Sequence, residues 1–226
     1  MKYWIHHRLM ALKRPFSGAA REKRMALFIE TMGIKGGEKV IDLGGTPSFW
    51  ADCPYSLEIT IVNLPGFNPP EPGDTHHKIT LIEGDACDIN FAGDNSFDIA
   101  HSNSVIEHVG DETNQARLAN EARRLAPRYW VQTPSIWFPI EAHNNMPFWW
   151  FYPPVLKRAL IRRWRQKLPA WTEMVEGTTV LMRNDIQNMF PDGTIWTERV
   201  LGFAKSYVVY RTSKPDSNGT RETVAE

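Results

Sequence analysis

Five short apolar runs, spaced too widely for hairpins, constrain this chain more than any other feature. They are "EKVIDLGG" (38–45), "LEITIVNL" (57–64), "KITLIEGDA" (78–86), "SFDIAHSN" (96–103) and "RYWVQTPS" (128–135). Antiparallel neighbours can be joined by two residues, whereas parallel neighbours need a crossover of about a dozen or more. The spacing therefore predicts an α/β protein with a mainly parallel sheet. "TIWTERVLGF" and "KSYVVYR" follow one another closely near the end, as the two arms of an antiparallel hairpin would.

The connections differ in kind. "DETNQARLANEARRLA" (111–126) has acids first and arginines late, which suits a helix dipole. "SGAAREKRMALFIETMG" places Met25, Phe28, Ile29 and Met32 on one helical face, with Ser17 as cap and Gly33 as stop. "NDIQNMF" reads as a further short helix. "LPGFNPPEPGDTHH" (64–77) is too rich in Pro and Gly for a helix and is expected to be loop.

In such sheets ligands bind beyond the carboxyl ends of the strands. The candidate positions are then Asp42 to Pro47, Asn63, Asp85, and Ser102 with Asn103. A dinucleotide fingerprint needs Gly-x-Gly-x-x-Gly, and from Gly44 those positions hold Gly44, Thr46 and Phe49. Phe49 argues against a nicotinamide site. Thr46 can cap a helix and Pro47 suits its first position, so "TPSFWAD" is expected to start a short one.

"VIDLGG", "EGDA" and "FDIAHSNSVIEHV", in this order and on these elements, resemble the class I S-adenosylmethionine-dependent methyltransferases. The likeness is to the small-molecule branch, of the type 11/12 kind, and covers about residues 20–135, with the terminal hairpin fitting as well. It implies a Rossmann-like three-layer sandwich whose seven-stranded sheet ends with the last strand antiparallel beside the fifth. It implies S-adenosylmethionine as cofactor. Asp42 and Gly44, with Gly45 and Thr46, would form the loop at its methionine part. Asp85 and Ala86 would sit at the adenine, and Ser102 and Asn103 near the methionine or the transferred methyl. The sequence departs from the family pattern at Thr46 and Ser48, where glycines are usual, and at Asn63, where an acid usually holds the ribose. The amide of Asn63 can still bind a diol, with a weaker grip than a carboxylate.

Two stretches carry candidate chemistry. "IEHV" (106–109) follows the fourth strand and offers His108 as a base or cofactor-proximal residue. Some ubiquinone-type O-methyltransferases resemble this region and bind a divalent metal through Glu-x-x-Glu-His. Here the first carboxylate position is Ser104, and two remaining ligands are too few for a hard-metal site, so no metal is expected. "FPIEAHNNMPFWWFYPP" (138–154) follows the fifth strand, where the family builds its substrate pocket. Glu141 and His143 would point the same way if that segment were extended, and an imidazole suits removal of a hydroxyl proton.

From Ala142 to Thr172 there is no acid, while Lys157, Arg158, Arg162, Arg163, Arg165 and Lys167 alternate with aromatic residues. "PVLKRALIRRWRQKL" can form a basic amphipathic helix. We read 136–172 as a helical aromatic and basic insertion forming a substrate lid, whose 148–168 part could touch a membrane surface. Lys plus Arg and Asp plus Glu both total 26, so no whole-surface grip on nucleic acid is suggested. Cys53 and Cys87 cannot build a disulfide framework or a Cys-x-x-Cys zinc site.

The expected organisation is a single domain over 1–213, with an N-terminal helical segment (1–35) and a disordered polar tail (214–226). No stretch reads as a membrane span or secretory leader, so a cytoplasmic location is expected. The expected activity is methyl transfer to a small molecule, with oxygen preferred as acceptor and a lipophilic or anionic substrate in view. The alternatives are a nucleic-acid or protein methyltransferase, or a non-catalytic binder with the same fold. The sequence does not set the oligomeric state.

Overall fold

Alternation along the strands divides the interior into two layers, one on each face of a single sheet. The computed structural model describes residues 21–67, 69, 73 and 75–213. Ser17, the first 20 residues and the tail from 214 therefore lie outside the described residues. A helix, α1, runs over 21–32. The order after it is β1 (Lys39–Leu43), α2 (Pro47–Trp50), β2 (Glu58–Asn63), β3 (Lys78–Glu83), β4 (Ile99–Asn103), α3 (Glu112–Leu125) and β5 (Arg128–Pro134). It ends with α4 (Pro154–Arg165), α5 (Pro169–Gly177), α6 (Arg183–Met189), β6 (Thr194–Val200) and β7 (Phe203–Arg211).

The sheet has seven strands in the order β3-β2-β1-β4-β5-β7-β6. β1 to β5 are parallel, and β7 pairs antiparallel with both β5 and β6. The order reverses between β1 and β4, which places a cleft at the carboxyl ends of these two strands.

Period-two alternation decides which residue faces which layer. Val40, Ile59, Ile61, Ile99, Trp130 and Val208 join Met25, Phe28 and Met32 of α1 and Trp50 of α2 in one cluster. Ile41, Leu43, Ala100, Tyr129, Val131 and Val209 join Leu118, Ala122 and Leu125 of α3 and Ile186 of α6 in the other. The α1 stripe matches the expected one, with Ile29 partly buried at its edge. The described residues between β2 and β3 contain no helix, in keeping with their prolines. β3 is correspondingly exposed along most of its length.

α2 is a single turn with Pro47 at its start. Thr46 precedes it in extended conformation but makes no side-chain cap. Its hydroxyl instead meets Ser48 Oγ at 3.1 Å. α3 is capped as its sequence suggests, Asp111 accepting from the Asn114 amide. α4 buries none of its residues, and α5 was not foreseen as a separate helix. No helix among the described residues is long and apolar enough to cross a membrane.

Candidate functional site

Val40 faces the α1 side of the sheet, so Asp42, two residues on, faces it too. β1 and β4 pair with Asp42 beside His101, and α2 lays Trp50 over both. The outcome is a closed polar cluster. Asp42 Oδ1 lies 2.8 Å from His101 Nδ1, and Asp42 Oδ2 accepts from Trp50 Nε1 at 2.8 Å. Asp42 has no exposed surface and both its oxygens are used. Asp42 thus supports the turn from beneath, at the floor of the adjoining cavity.

Gly45 shows how close that support is. A Cβ there would lie 1.7 Å from Asp42 Oδ2. Gly44 has φ of +82°, a region favoured only by glycine, and a Cβ there would meet Val105 at 2.6 Å. Both glycines are thus demanded by packing, although neither spacing matches a phosphate loop.

Two cavities meet at Gly44. One, of about 250 Å³, is lined by Arg21, Gly45, Thr46, Ser48, Phe49 and Asn103, with Asp42 and His101 at its floor. The other, of about 410 Å³, is more apolar and is lined by Val62, Asn63, Asp85, Ala86, Val105 and His108, among others. Gly44, Gly45, Thr46, Asn63, Asp85, Ala86 and Asn103 thus all border the cleft. Ser102 does not; it is fully buried, and its hydroxyl donates to the Leu43 carbonyl at 3.0 Å, tying β4 to the end of β1.

The amide at Asn63 has a structural reason. Its Nδ2 donates to the Gly45 carbonyl at 3.0 Å, holding the turn. A carboxylate could not donate there and would face that carbonyl with like charge. Oδ1 is left for a ligand hydroxyl. Asp85 Oδ1 accepts from the Cys87 amide at 2.8 Å, and Asp85 lines the larger cavity. Cys53 and Cys87 are both buried free thiols. Burial first, then Asp85, pushes Cys87 up to about 12, far from a reactive thiolate.

Beside His108, in the wall of the larger cavity, the loop after β5 folds back. It is a tight turn rather than an extended segment, because the Glu141 carboxylate gathers three donors: the amides of His143 and Asn144, at 2.7 and 2.6 Å, and His143 Nδ1 at 2.7 Å. Glu141 is buried and spent on this turn, so it acts through His143. His143 Nε2 in turn lies 3.0 Å from His108 Nε2, the rings being nearly perpendicular at 88°. Burial draws His143 down, but the bond and charge of Glu141 outweigh it and hold the imidazole above its ordinary value. Burial and then His143 lower His108. Burial raises Glu141, yet its hydrogen bonds prevail and its carboxyl sits below the usual range.

The counting of two ligands at "IEHV" is incomplete, since His143 brings a third. Glu107, His108 and His143 each offer a ligand atom within 4.8 Å of the others. Glu107 has no exposed surface; its Oε2 accepts from Thr133 at 2.9 Å and its Oε1 has no partner. Burial pushes its carboxyl up to about 7. No sequence signal paired residue 108 with 143, since the contact spans 35 positions.

The insertion is fastened to this point from both sides. His143 holds it at one end, and at the other the Thr179 amide donates to the Glu107 carbonyl at 2.7 Å. Three of its tryptophans contact one another, Trp149 tilted against Trp164 at 5.4 Å and Trp164 edge-to-face with Trp171 at 5.2 Å. Trp149 is the buried member of this group, and Trp164 and Trp171 are partly buried against it.

A family model described as a methyltransferase domain matches residues 67–128. No curated protein sequence matches the chain. Among solved structures, the PH0226 protein of Pyrococcus horikoshii OT3 superposes with a TM-score of 0.53 at 16% identity, over 84% of this chain and 88% of that one. A SAM-dependent methyltransferase from Aquifex aeolicus aligns with a TM-score of 0.45 at 13% identity, over 82% and 87%. Magnesium protoporphyrin IX methyltransferase from Synechocystis PCC 6803, with bound SAH, gives 0.48 at 11% identity, over 85% and 83%.

Proposed function

We propose that the chain is a class I S-adenosylmethionine-dependent methyltransferase, a reading supported by the methyltransferase-domain match over residues 67–128, and that it methylates an oxygen nucleophile on a small molecule at the His108–His143 end of its cleft. The observation that carries this reading is the meeting of two unlike cavities at Gly44, with His108 in the wall of the larger one and His143 against it. A nucleoside joined to an amino acid needs such a shape. The apolar cavity with Asn63 and Asp85 at its rim fits the adenosine, and the polar one with Arg21, Asn103 and the turn fits the methionine. When bound, the cofactor supplies an electrophilic methyl group.

The chain's own residues then do three things. The turn over Asp42 and the strand ends hold the cofactor at fixed depth. Holding acceptor and methyl in line supplies much of the rate. His108 and His143 face the acceptor, and Glu141 keeps His143 oriented. The fixed geometry favours a hydroxyl, whose proton must be handled by this cluster.

S-adenosylhomocysteine should bind in calorimetry. His143→Ala and His108→Ala should each lower kcat by about 100-fold while leaving that affinity within about threefold. Absence of binding by either form of the cofactor at about 1 mM would refute the enzyme reading. Unchanged kcat in both variants would remove the histidines from it.

A lipophilic acceptor reached from a membrane surface is favoured by one observation. α4 buries nothing, and Val155 (70% exposed), Leu156, Phe148, Phe151 and Leu168 lie bare among its arginines and lysines. Anionic phospholipid vesicles should bind the protein, and added salt should weaken binding. Replacing Arg162 and Arg163 by Ser should reduce partitioning by roughly 30-fold, at about 1 kcal/mol per charge. Equal partitioning into neutral vesicles would argue against this surface.

A further inference from the structure

We propose that Glu107, His108 and His143 hold a divalent cation of the zinc type at the acceptor end of the cleft. His143 Nδ1 lies 2.7 Å from a Glu141 carboxylate oxygen, so its proton is on Nδ1. Thr178 Oγ1 donates to the Met174 carbonyl at 2.8 Å, so its longer 3.4 Å contact with His108 Nδ1 places a proton on that nitrogen too. In their neutral forms the two rings then turn their Nε2 lone pairs toward one another across 3.0 Å. Two lone pairs so placed repel unless something positive lies between them.

A metal–nitrogen distance of about 2.0–2.1 Å converts that separation into an angle of about 95° at a shared ion, which adjacent ligands can adopt. The third ligand is independent of this geometry. Glu107 is wholly buried and its Oε1 lacks any partner. A buried carboxylate oxygen without a partner is costly, and a cation removes the cost. Glu141 completes the pattern from behind, as a carboxylate that fixes the tautomer and orientation of a ligating histidine.

Two imidazoles and one carboxylate form a borderline donor set, better matched to Zn²⁺ or Co²⁺ than to Mg²⁺. It leaves open positions on the ion. The arrangement is not the Glu-x-x-Glu-His motif, because Ser104 stands at its first carboxylate and the added ligand is an imidazole from the loop after β5. Its chemical consequence rests on the methyltransferase reading; the cation site does not. A hydroxyl oxygen of the acceptor would take an open position, its proton passing to solvent. The bound oxygen would then attack the methyl carbon as the carbon–sulfur bond breaks, with that electron pair remaining on sulfur. The substrate class implied is a metal-binding alcohol or phenol, such as a vicinal diol.

The test titrates the full chain, stripped of metal, with Co²⁺ alone, by calorimetry and visible absorption. One ion per chain is expected, with an absorption spectrum of low coordination number. His108→Ala and His143→Ala should each weaken binding at least about 100-fold, and Glu141→Gln by about 10–100-fold. His76→Ala should leave it unchanged. S-adenosylhomocysteine binding, measured on the same samples, reports folding and keeps this result separate from the cofactor reading. No stoichiometric Co²⁺ binding by the unmodified chain at about 100 µM would overturn the site in favour of a shared proton. Binding that survives loss of both histidines would overturn it as well.

Discussion

Asp42→Ala is expected to lower the unfolding free energy by about 3–5 kcal/mol. The substitution leaves two buried donors without acceptors, Trp50 Nε1 and His101 Nδ1, in a layer already closed by Phe28 and Phe49. It also removes the support beneath the Gly44–Gly45 turn. For a domain of this size the melting temperature should fall by on the order of 10 °C. Asp42→Asn keeps one acceptor oxygen and should cost less. Urea denaturation measures both. A loss under about 1 kcal/mol for the alanine variant would show that the cluster is not held as described.

Gly45→Ala should abolish cofactor binding in practice, with affinity reduced by at least about 100-fold. The added methyl would lie 1.7 Å from Asp42 Oδ2 and 2.2 Å from its Cγ. Asp42 cannot retreat, because its oxygens are held on both sides, so the turn itself must move. Asn63 would then lose the Gly45 carbonyl it holds. Gly37→Ala separates this effect from ordinary glycine strain. Its φ is +86° with nothing within 4 Å of a Cβ, so only the left-handed penalty of about 1–2 kcal/mol applies. That variant should bind S-adenosylhomocysteine as the parent does. Calorimetry decides, and a Gly45→Ala affinity within about threefold of the parent would remove the turn from the cofactor site.

Much of this molecule was legible from local pattern. The strands were marked by short apolar runs, and the helix α3 by its cap and charge order. The closing hairpin was marked by two runs joined tightly. The cleft followed from strand ends, because a parallel sheet with a switch in strand order leaves one natural crevice. Eight of the nine residues expected at the cofactor line it, all but Ser102. These features depend on neighbours in sequence or on the general geometry of a parallel sheet, so no distant contact had to be known.

The exceptions share a physical cause. Asp42 and Ser102 stand at strand ends, yet parity and register turn their side chains inward, toward Trp50 and His101 in one case and the Leu43 carbonyl in the other. His101 is likewise turned inward, because strand pairing sets it beside Asp42. Glu141 and His143 were expected to be aligned by an extended backbone, whereas a turn around one carboxylate brought them together. Local sequence thus determined the strands, the crevice at their ends and the glycine turn, since each follows from hydrophobic period and backbone freedom. Only the tertiary structure decided that His143 meets His108 beside a buried, unpartnered Glu107, because that meeting requires a loop after β5 to fold back over the end of β4.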